Sequence, residues 1–191
     1  LVVPYILAAT LRSDNFGDTY AYRSVFREAP SKIAALPLYL EGIKKDKGFS
    51  VLIVIIKALI GNSPILFFMF IATVQMLCMA FIYRKYSENY WMSIFVFVAG
   101  TDYMSWCHNG IRQFLAIAII MAGFPLLLKR KYIPLIAIIL LGATFHASAL
   151  LMIPIIFIVQ GKAWNKKSVL CILGCILILI FVNQFTDGMN N

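Results

Sequence analysis

Charged residues are scarce in this chain, and acidic residues and histidines are the scarcest. Only 13% of its 191 residues are charged, with 8 acidic residues and 2 histidines, whereas 62% are hydrophobic. So few ionisable groups argue against an ordinary water-soluble domain, in which about a quarter of the residues are charged. Long apolar runs separated by short polar loops predict an all-α, polytopic membrane protein, with about 5–6 spans plus short re-entrant or broken helices.

Several catalytic and metal-binding motifs are missing as well. The four cysteines include no Cys-x-x-Cys pair, and no His-Glu-x-x-His motif occurs, so the sequence offers no zinc site. It has neither a glycine-rich phosphate loop nor a Gly-x-Ser-x-Gly elbow. These absences argue against nucleotide binding and against a serine hydrolase. No metal and no cofactor is expected.

The net charge of +9 comes from 17 basic residues, many of them in short loops between apolar runs. This pattern orients membrane helices and does not indicate a nucleic-acid partner. If the loops Arg84-Lys85, Lys129–Lys131 and Lys162–Lys167 are cytoplasmic, residues 102–113 and the polar loop 12–47 lie outside the membrane. His146 then lies toward the same outer side.

The apolar runs predict the membrane segments. Gly48–Ile60 has only 13 residues and covers about 20 Å as a helix, so we expect a re-entrant or interfacial helix from which Lys57 snorkels to the headgroups. Tyr132–Val159 is too short for two spans and is expected to break near His146. The remaining predicted spans are Ile65–Tyr83, one beginning at Trp91, Ile111–Leu128 with a bend at Gly123 and Pro125, and Ser168–Phe185. We expect residues 1–191 to be a single transmembrane domain and a fragment of a longer chain.

Polar side chains beside such apolar segments are the candidates for function. Arginines suit a lipid-linked diphosphate, because the guanidinium is always charged and binds phosphate in a bidentate manner. A histidine or carboxylate can accept a proton from a sugar hydroxyl. The catalytic candidates are Arg112, His146 and Asp18, and the substrate-binding candidates are Arg12, Tyr22, Gln113, His108 and Ser148.

Each candidate also has a plainer interpretation. Arg112 can snorkel to headgroups, His146 can be a packed histidine bonded to a backbone carbonyl, and Arg12 and Asp18 can be solvated loop charges. His146 and Ser148 also combine the two residue types of a serine hydrolase, a nucleophile and its base. However, side chains two residues apart on a helix point to different sides, which argues further against a hydrolase.

Three stretches resemble the EpsG family of bacterial membrane proteins, which act as Wzy-like exopolysaccharide and O-antigen polymerases. The first is residues 12–22, Arg-Ser-Asp-Asn-Phe-Gly-Asp-Thr-Tyr-Ala-Tyr, and the second is residues 110–116, Gly-Ile-Arg-Gln-Phe-Leu-Ala. The third is residues 145–149, Phe-His-Ala-Ser-Ala. Gly48-Phe49 also fits the family, although the acidic residue that often stands close before it is here Asp46, followed by Lys47.

The resemblance implies a glycosyltransferase-type polymerase in the bacterial cytoplasmic membrane. Its substrate would be an undecaprenyl-diphosphate-linked glycan, with Arg112 and Arg12 stabilising the diphosphate and His146 or Asp18 as base. Membrane lipid and other polysaccharide-assembly proteins are the expected partners. A lipid-linked oligosaccharide flippase is the alternative, and a non-enzymatic scaffold is a third possibility.

Overall fold

The computed structural model describes residues 2–100, 108–159 and 165–181. They belong to two compact units, Leu1–Leu150 and Leu151–Asn191. Within the described ranges every regular element is a helix, which confirms the all-α prediction. The predicted outer segment 102–113 is described only from residue 108.

The first unit contains nine α-helices within its described residues. They are α1 (Val3–Thr10), α2 (Thr19–Glu28), α3 (Leu36–Glu41), α4 (Lys47–Ile60), α5 (Pro64–Tyr86), α6 (Tyr90–Ala99), α7 (Ile111–Ala122), α8 (Phe124–Leu128) and α9 (Tyr132–Phe145). Two short 3-10 helices, Ile33–Ala35 and Ala147–Leu151, precede α3 and follow α9. The second unit contains α10 (Met152–Val159) and α11 (Lys166–Ile180), and the side chain of Asn165 caps α11 by accepting from the backbone N–H of Ser168.

Helix α5 is the central element of the first unit. Its 23 residues begin with Pro64, whose fixed φ suits the first turn of a helix, and give a length of about 34 Å. Among the described residues it is the one helix both long and apolar enough to cross a membrane, whereas α6, α7 and α9 are apolar but shorter. Helices α1 and α7 pack along α5, and the buried amide of Gln75 donates to the carbonyl of Ile111 at the start of α7.

The two predicted interruptions are present. Helix α7 ends at Ala122, and Gly123 separates it from α8, whose first turn contains Pro125. Helix α9 ends at Phe145 because His146 has an extended backbone, with φ −155° and ψ 122°. Both breaks occur where the sequence places glycine, proline or polar residues inside an apolar run.

Glycines let α9 approach its neighbours closely. A Cβ at Gly48 would lie 2.1 Å from Oγ1 and 2.9 Å from the backbone carbon of Thr144, so α4 and α9 cross almost in backbone contact. A Cβ at Gly142 would lie 3.1 Å from the end of the Ile120 side chain on α7. Any larger residue at Gly48 would force α4 away from α9.

The polar segment 12–47 folds back over α4 and α5 through an aromatic core. Phe26 of α2 stacks on Phe67 of α5 at 4.7 Å between ring centroids, and Phe49 of α4 meets the edge of the same ring. Tyr22 meets Phe49 edge-on at 5.9 Å. Offset and edge-to-face aromatic pairs of this kind are favourable beyond their buried area. They fix α2, which carries site residues, on the apolar helices.

Lys57 does not snorkel, so that prediction is wrong. Its side chain is 3% exposed, and Nζ donates to the carbonyls of Phe26, Arg27 and Ala29 at 2.6–2.9 Å. These carbonyls end α2, where backbone acceptors lack partners within the helix and the helix dipole favours a cation. The polar segment therefore supplies three hydrogen-bond acceptors to Lys57. The sequence of α4 alone had indicated that this side chain extends to water.

Candidate functional site

Residues 16–18 of the polar segment meet His108 and Asn109, which lie shortly before α7. The backbone N–H of Asp18 donates to the carbonyl of His108 at 3.3 Å, and the His108 ring lies 4.6 Å from that of Phe16, edge to face. Gly17 has φ +54°, and a Cβ there would lie 1.9 Å from Oδ1 of Asn109. Glycine is required at this point because the backbone is left-handed and the two loops touch.

Arg112, in the first turn of α7, forms an ion pair across the fold. One of its terminal nitrogens lies 2.8 Å from Oδ2 of Asp46, which directly precedes α4. The Arg112 side chain is 41% exposed and that of Asp46 is 11% exposed. Asp46 adopts φ 56°, a left-handed conformation that aspartate tolerates better than most residues. Nε of Arg112 is shielded from solvent and has no hydrogen-bond partner in the described part of the chain, so Asp46 leaves the guanidinium only partly satisfied.

A cavity of about 420 Å³ opens beside this arginine. Its size lies within the range of small-molecule sites, and α2, α3, α4, α7 and the loop before α4 all contribute to its wall. Arg112 and Lys45 supply positive charge, while Asp18 supplies the carboxylate. The residues lining it are Asp18, Ala21, Tyr22, Val25, Tyr39, Ile43, Lys45, Phe49, Ser50 and Arg112.

Two tyrosines give the cavity an aromatic wall with polar edges. The guanidinium carbon of Arg112 lies 5.9 Å from the ring centroid of Tyr22, within cation–π range. Burial raises the pKa of Tyr39, and the negative charge of Glu28 raises it further. A tyrosine phenol is already protonated at neutral pH, and the raised pKa of Tyr39 keeps it so at higher pH, which leaves it able to donate a hydrogen bond.

The family model for the EpsG family matches residues 1–190, nearly the entire chain. The chain belongs to the EpsG family. No curated protein and no solved structure matched it. Family membership makes this a membrane protein associated with polysaccharide biosynthesis, in agreement with its apolar helices.

Three predicted site residues of this EpsG-family chain line the cavity, namely Arg112, Asp18 and Tyr22. Gln113 is exposed beside Arg112 but is not among the residues that form the described wall. His108 is 3% exposed and packs against Phe16, so we assign it to holding the loop that carries Asp18.

Arg12 is neither a solvated loop charge nor part of the described cavity wall. It is buried, and its guanidinium carbon lies 3.9 Å from the ring centroid of Phe68 on α5. Arg23 lies over the same ring and pairs with Asp14 at 2.8 Å. The interpretation of Arg12 as a solvated charge is wrong, because the loop folds onto α5 and the Phe68 ring covers the guanidinium.

His146 and Ser148 do meet, contrary to the expectation for residues two apart on a helix. Nδ1 of His146 lies 2.7 Å from Oγ of Ser148. The expectation was wrong because α9 ends at Phe145, and the extended His146 then turns into a 3-10 helix. Among the described residues that line the cavity, neither His146 nor Ser148 is included.

Sequence reasoning left several residues of this EpsG-family site out of its candidate list, namely Asp46, which pairs with Arg112, and three residues of the cavity wall. Asp46 had a signal, since it is the acidic residue close before Gly48-Phe49, but only the fold reveals that it pairs with Arg112, 66 positions away. Lys45 and Tyr39 carried no signal, because a lysine and a tyrosine in a polar segment are unremarkable. Ser50 carried none either, because it is a single serine in the apolar run Gly48–Ile60. Their relevance depends on how α3 and α4 fold around the cavity.

Two of the basic loops used to orient the chain lie at the same end of the helices. Tyr86, next to Arg84-Lys85, contacts Phe124 edge-on at 5.4 Å between ring centroids, and Phe124 begins the helix that leads to Lys129–Lys131. Arg12 and Arg23 contact Phe68 near the opposite end of α5, which is about 25 Å from Lys85 along the helix axis. The arginines that contact Phe68 and these two basic loops therefore lie near opposite ends of α5.

Gly48→Ala should disrupt the junction between α4 and α9. The added Cβ would overlap the side chain of Thr144 and approach its backbone, so the helices must separate at a cost of roughly 1–3 kcal/mol or more. We expect a lower thermal unfolding midpoint of the purified protein. Thr144→Ala should not rescue it, because the Thr144 Cβ, 2.5 Å from the added atom, remains. Gly42→Ala is the matched control, since the nearest atom to its added Cβ is 3.8 Å away; equal midpoints for the two alanine variants would contradict the prediction.

Proposed function

We propose that this protein is a polysaccharide polymerase that joins undecaprenyl-diphosphate-linked oligosaccharide repeats at the outer face of the bacterial cytoplasmic membrane. The observation that carries the proposal is the cavity in which Arg112, Lys45, Asp18 and Tyr22 converge. It supplies cations for a diphosphate, a carboxylate for proton transfer and an aromatic face for a sugar. Membership of the EpsG family supports the same substrate class.

The charges of the wall suit a diphosphate leaving group. Arg112 donates one hydrogen bond to Asp46 and keeps further N–H groups for a ligand, and Lys45 adds a second cation. Preorganised donors of this kind stabilise charge that develops in a transition state. Asp46 fixes the position of the guanidinium, so it acts as a positioning residue.

The proposed reaction is a glycosyl transfer. A hydroxyl oxygen of one lipid-linked repeat forms a bond to the anomeric carbon of the growing chain. The bond from that carbon to the diphosphate oxygen breaks, and its electron pair leaves with undecaprenyl diphosphate. The hydroxyl proton passes to a base. Asp18 is our choice for that base because its carboxylate lines the same cavity as Arg112, whereas His146 is hydrogen-bonded to Ser148 and is not among the residues lining that cavity.

The choice of base predicts different outcomes for two substitutions that remove a candidate base and retain a polar side chain. Asp18→Asn should lower the rate of polymer formation by about 10²–10⁴-fold, the usual contribution of a general base. His146→Gln should leave most of the rate, because the residue contributes to a local bond with Ser148. Both rates are measured with purified protein and a lipid-linked repeat. A large loss in the His146 variant with a normal rate in the Asp18 variant would reverse the assignment.

The multi-pass inner-membrane location belongs to the same proposal. The cavity end carries the polar segment 12–47, and the basic loops Arg84-Lys85 and Lys129–Lys131 lie at the other end of α5. The positive-inside rule then puts the cavity on the outer face. A lipid-linked glycan that has already crossed the membrane is available there, together with other polysaccharide-assembly proteins as partners.

Deletion of the gene tests the polymerase against the flippase. We expect single lipid-linked repeats to accumulate on the outer face, detected by labelling surface glycans in intact cells and by sizing the lipid-linked products. Repeats trapped inside the cell would indicate a flippase and overturn the proposal. A scaffold would retain polymer formation in the Arg112→Ala/Asp18→Asn double variant, which we expect to be inactive.

A further inference from the structure

A second concave surface lies on the other side of the Asp46–Arg112 pair. It is a groove of about 470 Å³ between α4 and α9. On α4 its wall is formed by one face of the helix, at positions 48, 51, 52 and 55. On α9 it is formed by Leu141 and the turn before His146. The residues lining this groove are Asp46, Lys47, Gly48, Val51, Leu52, Ile55, Leu141, Ala143, Thr144 and Phe145.

The groove is apolar along its length and charged at one end only. Val51, Leu52 and Ile55 present aliphatic side chains, and Leu141 faces them from α9. Asp46 and Lys47 stand at the end where α4 begins. Gly48 and Thr144 bring the two helices almost into backbone contact at that end, which fixes the shape of the groove.

Asp46 connects the groove with the polar cavity. It lines the groove and at the same time bonds Arg112, which lines the cavity. A single molecule can therefore place an anionic head beside Arg112 and an apolar tail in the groove, which begins at Asp46, the residue bonded to Arg112. Lys47, at the mouth of the groove, adds a cation that complements the same head.

We propose that this groove binds the isoprenoid chain of the lipid diphosphate whose head occupies the cavity, an assignment that rests on the proposed function. From position 48 to position 55 the groove runs about 10 Å along α4, so it holds the first few isoprene units next to the diphosphate. Burial of branched apolar units against aliphatic side chains adds affinity for the lipid and orients its anomeric end toward Asp18. The remainder of the chain lies in the membrane.

Photo-crosslinking tests the groove without requiring polymer formation. A polyprenyl diphosphate with a diazirine on its second or third isoprene unit is added to the full chain in nanodiscs. After irradiation, labelled peptides are identified by mass spectrometry. We expect label on α4 and α9, with competition by unlabelled polyprenyl diphosphate and not by phosphatidylglycerol. Absence of label from these helices, or equal competition by phosphatidylglycerol, overturns the proposal.

Groove-filling variants provide the second measurement. Ile55→Trp and Leu141→Trp alter positions that are already more than a third exposed, so the fold should tolerate them. We expect each to lower specific labelling by about tenfold, the effect of losing burial of roughly two apolar carbons. Leu59→Trp is the matched control, because Leu59 lies on α4, is 79% exposed and is not among the residues lining the groove. Equal labelling of the groove-filled variants and the control overturns the proposal.

The two proposals fail in different ways. If the wild-type protein is specifically labelled on α4 and α9 but forms no polymer from any donor, the groove proposal stands and the polymerase proposal is rejected. If the protein forms polymer but phosphatidylglycerol competes for the label, the polymerase proposal stands and the groove proposal is rejected.

Discussion

Replacing Arg112 with alanine is expected to lower the rate of polymer formation by about 10²–10³-fold, the usual effect of removing one preorganised transition-state donor. The guanidinium lines the cavity and is only partly satisfied by Asp46, so its free donors are available to the diphosphate oxygens. The rate is measured with the full chain in nanodiscs and a lipid-linked repeat, and chain length is measured in cells. Long polymer should disappear while single repeats remain.

The pairing with Asp46 calls for a specific control. Arg112→Ala leaves a carboxylate that is only 11% exposed without its partner, which by itself destabilises the start of α4. The Arg112→Ala/Asp46→Asn double variant removes that unpaired charge. If Arg112 acts on the diphosphate, the double variant regains stability and remains inactive. Recovery of activity would show that the single substitution acted only through the orphaned carboxylate.

Two further arginine variants separate charge from geometry. Arg112→Lys keeps the positive charge and loses the planar fork, so we expect an intermediate rate. Arg27→Ala removes an arginine whose side chain is exposed on α2 and is not among the residues lining the cavity, and we expect a normal rate. Polymer of normal length in the Arg112→Ala strain would contradict the assignment outright.

Lys57→Met should produce the largest loss of stability. The substitution leaves the carbonyls of Phe26, Arg27 and Ala29 without the ammonium that now donates to all three. An unsatisfied buried acceptor costs roughly 1–3 kcal/mol, and removal of the costly buried charge offsets part of the sum. A net loss of about 3 kcal/mol would lower the unfolding midpoint by on the order of 5–10 °C.

The expected damage is local to the attachment of α2. Amide hydrogen exchange should increase in α2 more than in α5, because Lys57 donates to three carbonyls at the end of α2. Lys44→Met, which changes an exposed lysine in the loop before α4, is the matched control and should leave the midpoint unchanged. A Lys57→Met protein with a normal midpoint and normal exchange would show that the three bonds contribute nothing to stability.

Local patterns predicted the helical segments well. The short apolar run before Gly61 became α4, the long run after Pro64 became α5, and glycine with proline divided the run from Ile111 to Leu128. Each of these follows from residue chemistry within a few positions, such as the fixed φ of proline or the absence of a side chain in glycine. The membership in the EpsG family, indicated by three short motifs, was confirmed.

Pairings across the chain were not predictable in the same way. Nothing near Lys57 indicates that the end of α2 will cover it, and nothing near Phe68 indicates that Arg12 will be buried against its ring. His146 and Ser148 were misjudged because the geometry of a continuous helix was applied to two residues that lie beyond the break predicted near His146. In each case the outcome depends on where a polar segment returns to the apolar helices.

The sequence by itself determined the class of this protein, an all-α membrane chain with basic loops. It also determined which residue types are present to bind a diphosphate. Its helices follow from apolar runs bounded by helix breakers and polar loops, because apolar content and helix breakers act over a few residues. Only the tertiary structure decided which of those motifs share a cavity, since Asp46 and Arg112 are brought together by packing between distant helices. The same packing directed Arg12, His108 and Lys57 into structural contacts, because burial gives each of them neighbours that the linear order does not specify.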